Sequence, residues 1–293
     1  MDWKTAALPE VFFHSLLRCL KFLKFPLNLP LFHSITRSKK VIWSDRVLSR
    51  WSGVDTLTGH QAQFGKRVWV TIPAMLIPLA ASFFYFVFFP GTVFGNRFYS
   101  GTKIFITLWP IVAVGLILRE RFVDRSLQRQ HGKSILMGSV FGLTIAALMV
   151  FLMKATPLHE VVFRNSGKIV ERIRGLGVAE HFLIFAAFLS IIHAAMEEFF
   201  WRWFVFGQLR RLLSLPKAHI LAAAGFASHH MVILSQFFSL PWAVCFAICV
   251  GIGGAVWSLL YQETNSLAGS WVSHLIVDLA IMWIGWLLLG AGG

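Results

Sequence analysis

Seven long apolar stretches follow one another along this chain of 293 residues, with polar segments between them. The hydrocarbon core of a bilayer needs about 20 apolar residues per helix, and most of these stretches approach that length. The pattern therefore predicts an all-α, polytopic transmembrane helical bundle with about seven spans. The predicted spans are 68–89, 104–118, 135–153, 181–206, 218–238, 242–260 and 267–289, with a kink in the first at Pro73 and Pro78.

Residues 1–67 differ from the rest because they carry eleven Lys and Arg but only four Asp and Glu. Within 11–25, basic residues recur every three positions among Phe and Leu, which is typical of an amphipathic helix lying in the membrane interface. Prolines at 26 and 30 are expected to end this helix, and we expect 32–66 to be irregular. The chain thus divides into a basic cytoplasmic or interfacial region, 1–67, and a transmembrane domain, 68–293.

The composition supports the same class of protein. Hydrophobic residues make up 57% of the chain and charged residues only 14%, against about 25% charged residues in a typical soluble domain.

The first apolar run contains three basic residues, so it does not resemble a secretory signal peptide. Three cysteines without a CxxC motif indicate no disulfide framework. The net charge of +14 lies in the loops and the N-terminal region, which favours anionic lipid over nucleic acid as the partner.

Loop charges predict the orientation, because basic residues concentrate on the cytoplasmic side. The N-terminal region, the segment 119–133 and the segment 210–217 are rich in Lys and Arg, whereas the last two loops have none. The loop 154–180 is the contrary case, with five basic residues partly offset by three acids. We predict a cytoplasmic N-terminus and a bacterial inner (cell) membrane, although an endoplasmic reticulum protein would show a similar pattern.

Two adjacent acids, Glu197 and Glu198, lie inside the fourth apolar stretch. Ionisable side chains at membrane depth are costly, which makes them a functional-site hypothesis. Glu198 and Arg202 are four residues apart and can pair on one helix face. Glu197 points about 100° away from Glu198, so it has no such partner and is suited to proton transfer. His193, four residues before Glu197, is predicted to share its face.

Two further polar clusters occur in later apolar stretches. His229 and His230 lie in the fifth, where successive helix positions point in different directions, so we expect at most one of them to face Glu197. His274 and Asp278 lie four apart in the seventh, where the carboxylate can orient the imidazole. Polar residues near this pair are expected to keep the cavity wet: Asn265, Ser266, Ser270 and Ser273.

The three clusters also agree in depth on the predicted topology. At a rise of 1.5 Å per residue, Glu197 lies about 13 Å, His230 about 18 Å and His274 about 10 Å from the cytoplasmic end of its helix. Clusters that are far apart in sequence thus fall at similar depth, which predicts one site built from three helices.

These clusters resemble the motifs of the CPBP family of intramembrane proteases, which includes the CAAX prenyl endopeptidases. The first motif of that family, EExxxR, matches Glu197, Glu198 and Arg202 in full. The second, FxxxH, matches Phe226 and His230. The third, HxxxN or HxxxD, matches His274 and Asp278 in its Asp form, and the resemblance covers a protease core of about 181–289.

The resemblance implies a glutamate-dependent endopeptidase rather than a metalloprotease, with no metal and no other cofactor. It implies that Glu197 and His230 activate a water, that His274 and Asp278 line the oxyanion site, and that Glu198 and Arg202 support the geometry. Prenyl-processing members carry Asn in place of Asp278, and an ionised Asp cannot donate a hydrogen bond. Asp278 is therefore either protonated in its apolar site or orients His274, which then donates.

Three other functions fit parts of the pattern. A zinc protease could use Glu197, His230 and His274 as ligands, but the chain has no HExxH motif. An ion-coupled transporter would also carry intramembrane acids and histidines, yet no inverted repeat is visible. A non-catalytic scaffold or immunity protein could retain the fold.

We expect a peptide or protein substrate at the membrane, and the sequence leaves open whether that substrate is prenylated.

Overall fold

The computed structural model of the protein describes residues 53–122 and 128–291, with side chains over 61–122 and 128–290. The chain divides into two units, Met1–Ala62 and Gln63–Gly293, and the candidate site lies in the second. The amphipathic helix predicted at 11–25 falls outside the described residues.

The described part of the chain is helical and contains no strand. Helix ends carry the expected signals: the Thr92 side chain accepts the backbone N–H of Gly95 at 3.0 Å, and two later helices have proline in their first turn. The helices are α1 (Gly53–Phe83, continued by π-helical turns over Phe84–Phe88), α2 (Val93–Val112, continued over Ala113–Ile117), α3 (His131–Ala155), α4 (Leu158–Arg164), α5 (Ser166–Gly175), α6 (Phe182–Leu212), α7 (Leu215–Phe237), α8 (Leu240–Thr264) and α9 (Ala268–Ala291).

Seven of these helices are long and apolar enough to cross a membrane, as predicted: α1, α2, α3, α6, α7, α8 and α9. The second predicted span, 104–118, was too short, because α2 already begins at Val93. Polar residues in the first half of α2 conceal it from a search for apolar runs, and Lys103 consequently lies inside the helix rather than in a loop. The expectation of irregular structure up to residue 66 was also wrong, since α1 begins at Gly53.

The fourth span, α6, lies at the centre of the bundle and contacts α2, α7, α8 and α9. Its second half contributes four side chains with no exposed surface, Phe200, Phe204, Val205 and Phe206. These residues form a single apolar core with buried side chains of α1, α2, α7 and α8. The position of α6 thus brings its polar residues within reach of several other spans.

Helices α3 and α9 pack with their backbones in direct contact, because glycines lie at the crossing. A Cβ atom added to Gly138 would overlap the Gly269 carbonyl oxygen, and one added to Gly142 would lie 3.0 Å from the Cα of Ser273. Small residues permit such close approach between membrane helices. This packing fixes α9, which carries His274 and Asp278.

We expect Gly138→Ala to destabilise the protein by about 1–3 kcal/mol, since the added methyl group forces the α3 and α9 backbones apart. Thermal unfolding in detergent would measure the change. Gly132→Ala is the matched control on the same helix, because a Cβ there meets no atom within 4 Å. Equal stability of the two variants would contradict the proposed close packing.

Candidate active site

Two neighbouring acids lie near the middle of α6, between two stretches of π-helical turns. Glu197 and Glu198 occupy a short α-helical segment, with π-helical turns over Phe188–His193 before it and over Phe199–Phe206 after it. π-Helical turns inside α-helices occur frequently at functional sites. Glu197 is 5% exposed and Glu198 1% exposed, so both need partners from the protein.

Glu198 has two such partners. Its Oε1 lies 3.2 Å from Arg202 Nη1, which confirms the predicted pair along the helix. The same oxygen lies 2.9 Å from His274 Nδ1 on α9, a contact that helical spacing did not predict. Glu198 therefore joins α6 to α9.

The guanidinium of Arg202 lies between two aromatic rings. Its central carbon is 4.4 Å from the ring centre of Phe226 on α7 and 4.9 Å from that of Trp257 on α8. Such positions over ring faces are attractive for a cation, especially where water is excluded. Arg202 is 1% exposed, so these rings and Glu198 form its environment. The phenylalanine of the second motif thus contacts the arginine of the first.

Glu197 faces histidines from three helices. His193 Nε2 lies 3.3 Å from its Oε1, which confirms that these two residues share a face of α6. His229 Nε2 on α7 lies 3.8 Å from the same oxygen, and His274 Nε2 on α9 lies 3.8 Å from Oε2. The carboxylate that the sequence left without a partner is therefore surrounded by imidazole nitrogens.

Both histidines of α7 lie near Glu197, so the expectation that at most one would face it was wrong. Glu197, His229 and His230 each offer an atom within 4.8 Å of the others, and the two imidazole centres are 4.2 Å apart. Both imidazoles therefore lie within reach of the Glu197 carboxylate. His230 Nδ1 lies 2.9 Å from the Phe226 carbonyl oxygen, which leaves its Nε2 available to the site.

His274 is fixed on several sides. Its ring stacks on Trp257 with centres 4.1 Å apart, and Trp257 Nε1 donates to Ser273 Oγ at 3.0 Å. Its Nε2 lies 3.6 Å from Asp278 Oδ1, a longer distance than that between its Nδ1 and Glu198. Glu198, rather than Asp278, is thus the closer carboxylate partner of the imidazole.

Three of the four polar residues that we expected to keep the cavity wet are buried and bonded to protein atoms. Ser266, Ser270 and Ser273 are at most 2% exposed. Ser266 Oγ lies 2.8 Å from His131 Nδ1, and Ser270 Oγ donates to the Leu267 carbonyl oxygen. The first contact ties the start of α9 to α3, whereas the second lies within the first turn of α9.

A lysine just outside the second predicted span, 104–118, also reaches this cluster. Lys103 Nζ on α2 lies 3.4 Å from His193 Nε2 and 4.9 Å from the ring centre of Tyr99. The sequence contains one residue that indicates the earlier start of α2. Thr92 is a type of residue that caps helices, and its side chain caps α2 at this position.

Glu197, His229 and His230 are also the described side chains that could jointly hold a metal ion. A catalytic zinc takes three protein ligands of these types and leaves one position open. The zinc ligands considered from the sequence were Glu197, His230 and His274, so His229 takes the place of His274 in this set. The donor types fit zinc, and the same residues also fit water activation.

A protein-family model matches this chain over residues 179–280, and it is described as type II CAAX prenyl endopeptidase Rce1-like. The matched segment carries every motif residue from Glu197 to Asp278, so the match confirms the resemblance seen in the sequence. The chain matches no curated protein and no solved structure.

Proposed function

We propose that this chain, whose residues 179–280 match the Rce1-like CAAX prenyl endopeptidases, hydrolyses a peptide bond of a membrane-associated or lipidated substrate. The match supports a protease embedded in the membrane.

The observation that carries this proposal is the environment of Glu197. Its carboxylate lies in the middle of a membrane-spanning helix and yet faces His193, His229 and His274 at 3.3–3.8 Å. A general base has to lie within hydrogen-bond reach of its water, directly or through one other group. A carboxylate that only held helices together would not need several imidazoles at comparable distances.

In the proposed reaction, Glu197 and Nε2 of His230 hold a water, and Glu197 takes one of its protons. The water oxygen forms a bond to the scissile carbonyl carbon, and the carbonyl oxygen becomes an oxyanion. When the carbon–nitrogen bond breaks, the proton on Glu197 moves to the leaving amine. The products are one peptide with a new carboxylate and one with a new amine.

His274 and Asp278 are proposed to stabilise the oxyanion. Donors placed beforehand for developing charge are often the largest contribution to catalysis. Nδ1 of His274 faces Glu198 at 2.9 Å, so its Nε2 is the atom directed towards Glu197 and Asp278. Arg202 and Glu198 would hold this imidazole without touching the substrate.

We expect Asp278→Asn to preserve activity within about threefold, because an amide donates a hydrogen bond where a protonated carboxyl would. Since Glu198 already orients His274, the geometry favours the donor role for Asp278. Initial rates of peptide cleavage would test this. Asp278→Leu, which has a similar size but no donor, is the matched control and should lose most activity. Loss of activity in the Asn variant would show that a charged carboxylate is needed.

We further propose that the reaction needs no metal. The alternative is a zinc ion held by Glu197, His229 and His230, whose donor types suit that ion. The two hypotheses differ in their response to a strong chelator. Activity that survives chelation would support the glutamate mechanism, whereas loss that added zinc restores would support the metal site.

The experiment that tests the function is cleavage of a peptide library by the purified full chain in detergent, with products identified by mass spectrometry. The library should contain prenylated and unprenylated versions of each peptide, because the prenyl requirement is open. Defined cleavage products support the protease. Folded protein that cleaves none of the peptides would favour a scaffold or immunity protein, or an ion-coupled transporter.

The proposed location is a bacterial inner membrane with the N-terminus in the cytoplasm. On this orientation, the basic region 1–67 would contact anionic lipid at the cytoplasmic surface. A fusion reporter at each end of the chain would test the orientation, because the seven spans of the described residues would place residues 61 and 290 on opposite sides.

A further inference from the structure

A cleft of about 450 Å³ opens at one end of the bundle. It lies where α6 and α8 end and where α3 and α9 begin. The ends of membrane-spanning helices reach the level of the lipid headgroups, so the mouth of this cleft lies at that level. Its lining contains none of the acids and histidines that we assign to catalysis, which makes it a separate candidate site.

The charged side chains that line this cleft are four arginines and one acid. The acid, Glu120, is already paired with Arg211 at 2.7 Å and also with Arg67 of α1. Among the described residues, no carboxylate forms an ion pair with the other three arginines. This basic cleft therefore has three uncompensated positive charges, and its four arginines are Arg121, Arg129, Arg210 and Arg211.

Two donors of the basic cleft are held in place by neighbouring side chains. The guanidinium carbon of Arg210 lies 5.9 Å from the ring centre of Phe206 and 5.6 Å from that of Tyr261, positions that attract a cation. Gln208 is 4% exposed, and its Oε1 accepts a hydrogen bond from Arg67 Nη1 at 2.6 Å. Because arginine can only donate, this contact fixes which way the amide points. The Gln208 Nε2 group has no partner among the described residues, so the cleft offers an oriented donor to a ligand.

One wall of the basic cleft is aromatic. Phe199 and Trp203 stack with ring centres 4.9 Å apart, and Phe122 stacks on Trp203 with centres 6.1 Å apart. Phe199 lies about three turns before the end of α6 at Leu212, so this wall extends from the headgroup level into the hydrocarbon. A free phosphate ion or an acidic peptide would leave the deeper part of such a wall uncovered.

We propose that the basic cleft binds an anionic phospholipid. The headgroup phosphate lies among the three uncompensated arginines and accepts from Gln208, and one acyl chain lies along Phe199 and Trp203. Guanidinium groups suit phosphate because their paired N–H donors match its oxygens, and basic pockets between membrane helices bind lipid headgroups. This inference needs only that the helices cross the membrane, so it does not depend on the proposed protease activity.

Native mass spectrometry of the purified full chain in detergent, titrated with lipid, would measure the Kd. We expect phosphatidylglycerol to bind about tenfold or more tightly than phosphatidylcholine with the same acyl chains, because the choline headgroup carries its own positive charge. The double variant Arg121→Gln and Arg129→Gln should weaken phosphatidylglycerol binding about 10- to 100-fold. Both arginines are exposed, so the melting temperature of this variant should stay close to that of the wild type.

The matched control is the double variant Arg97→Gln and Lys154→Gln. It removes two exposed positive charges that lie near the opposite ends of α2 and α3, and it should bind phosphatidylglycerol like the wild type. An equal loss of affinity in both double variants would overturn the proposal, since net charge rather than the cleft would then attract the lipid. Equal affinity of the wild type for the two lipids would overturn it as well, and so would wild-type affinity in the cleft variant.

Two soluble probes distinguish the lipid from other anions. Glycerophosphoglycerol has the same headgroup without acyl chains, and we expect it to bind at least about 100-fold more weakly than the lipid, because burial of the chain is lost. Equal binding would identify a site for free phosphate esters and contradict the lipid assignment. Tighter binding of a hexaglutamate peptide than of phosphatidylglycerol would instead assign the cleft to an acidic peptide.

Discussion

Replacing Glu197 with Gln is expected to lower kcat by about 100- to 10,000-fold, the range typical for removing a general base. The amide has nearly the same shape as the carboxylate but cannot take a proton from water. KM should change little, because Glu197 is proposed to act on the water and not to bind the substrate. Initial rates over a range of peptide concentrations, measured with the purified variant in detergent, would separate the two constants.

Two controls make this result specific. Glu160→Gln removes a carboxylate from α4 whose side chain is 57% exposed, and it should leave kcat unchanged. A melting temperature of Glu197→Gln close to that of the wild type would show that the fold is intact. A folded Glu197→Gln protein with normal kcat would rule out Glu197 as the base and shift attention to the histidines.

Arg202→Met is expected to have the largest effect on stability, about 3–5 kcal/mol, because it leaves Glu198 buried without its counter-charge. The arginine also fills the space between Phe226 and Trp257, and methionine replaces only part of that packing. Thermal or denaturant unfolding in detergent would measure the loss. Adding Glu198→Gln to this variant should restore part of the stability, since the uncompensated charge is then removed.

Arg211→Met is the matched control for Arg202→Met. Arg211 pairs with Glu120 at 2.7 Å, but its side chain is 46% exposed, and exposed ion pairs contribute about 0–1 kcal/mol. A similar loss of stability in both variants would mean that the charge of Arg202 matters no more than that of a surface arginine. A large difference would support the buried pair as part of the framework that holds His274.

Much of the fold could be predicted because helix length and apolar composition are local properties of the sequence. The seven spans of the described residues follow from the lengths of the apolar stretches compared with bilayer thickness, and the error at α2 arose because polar residues occupy its first half. Pairs four residues apart were also predictable. Two such pairs are Glu198 with Arg202 and His193 with Glu197. The members of each pair share a helix face however the other helices pack.

Contacts between helices were decided only by the tertiary structure. The sequence could not reveal that Glu198 holds His274, that His229 joins His230 beside Glu197, or that Lys103 reaches His193. Each of these depends on the rotation and separation of two helices, which the glycines of α3 and α9 and the aromatic residues of α6 set through close packing. The sequence by itself thus determined the spans and the residues on each helix face, whereas packing between spans determined which faces meet.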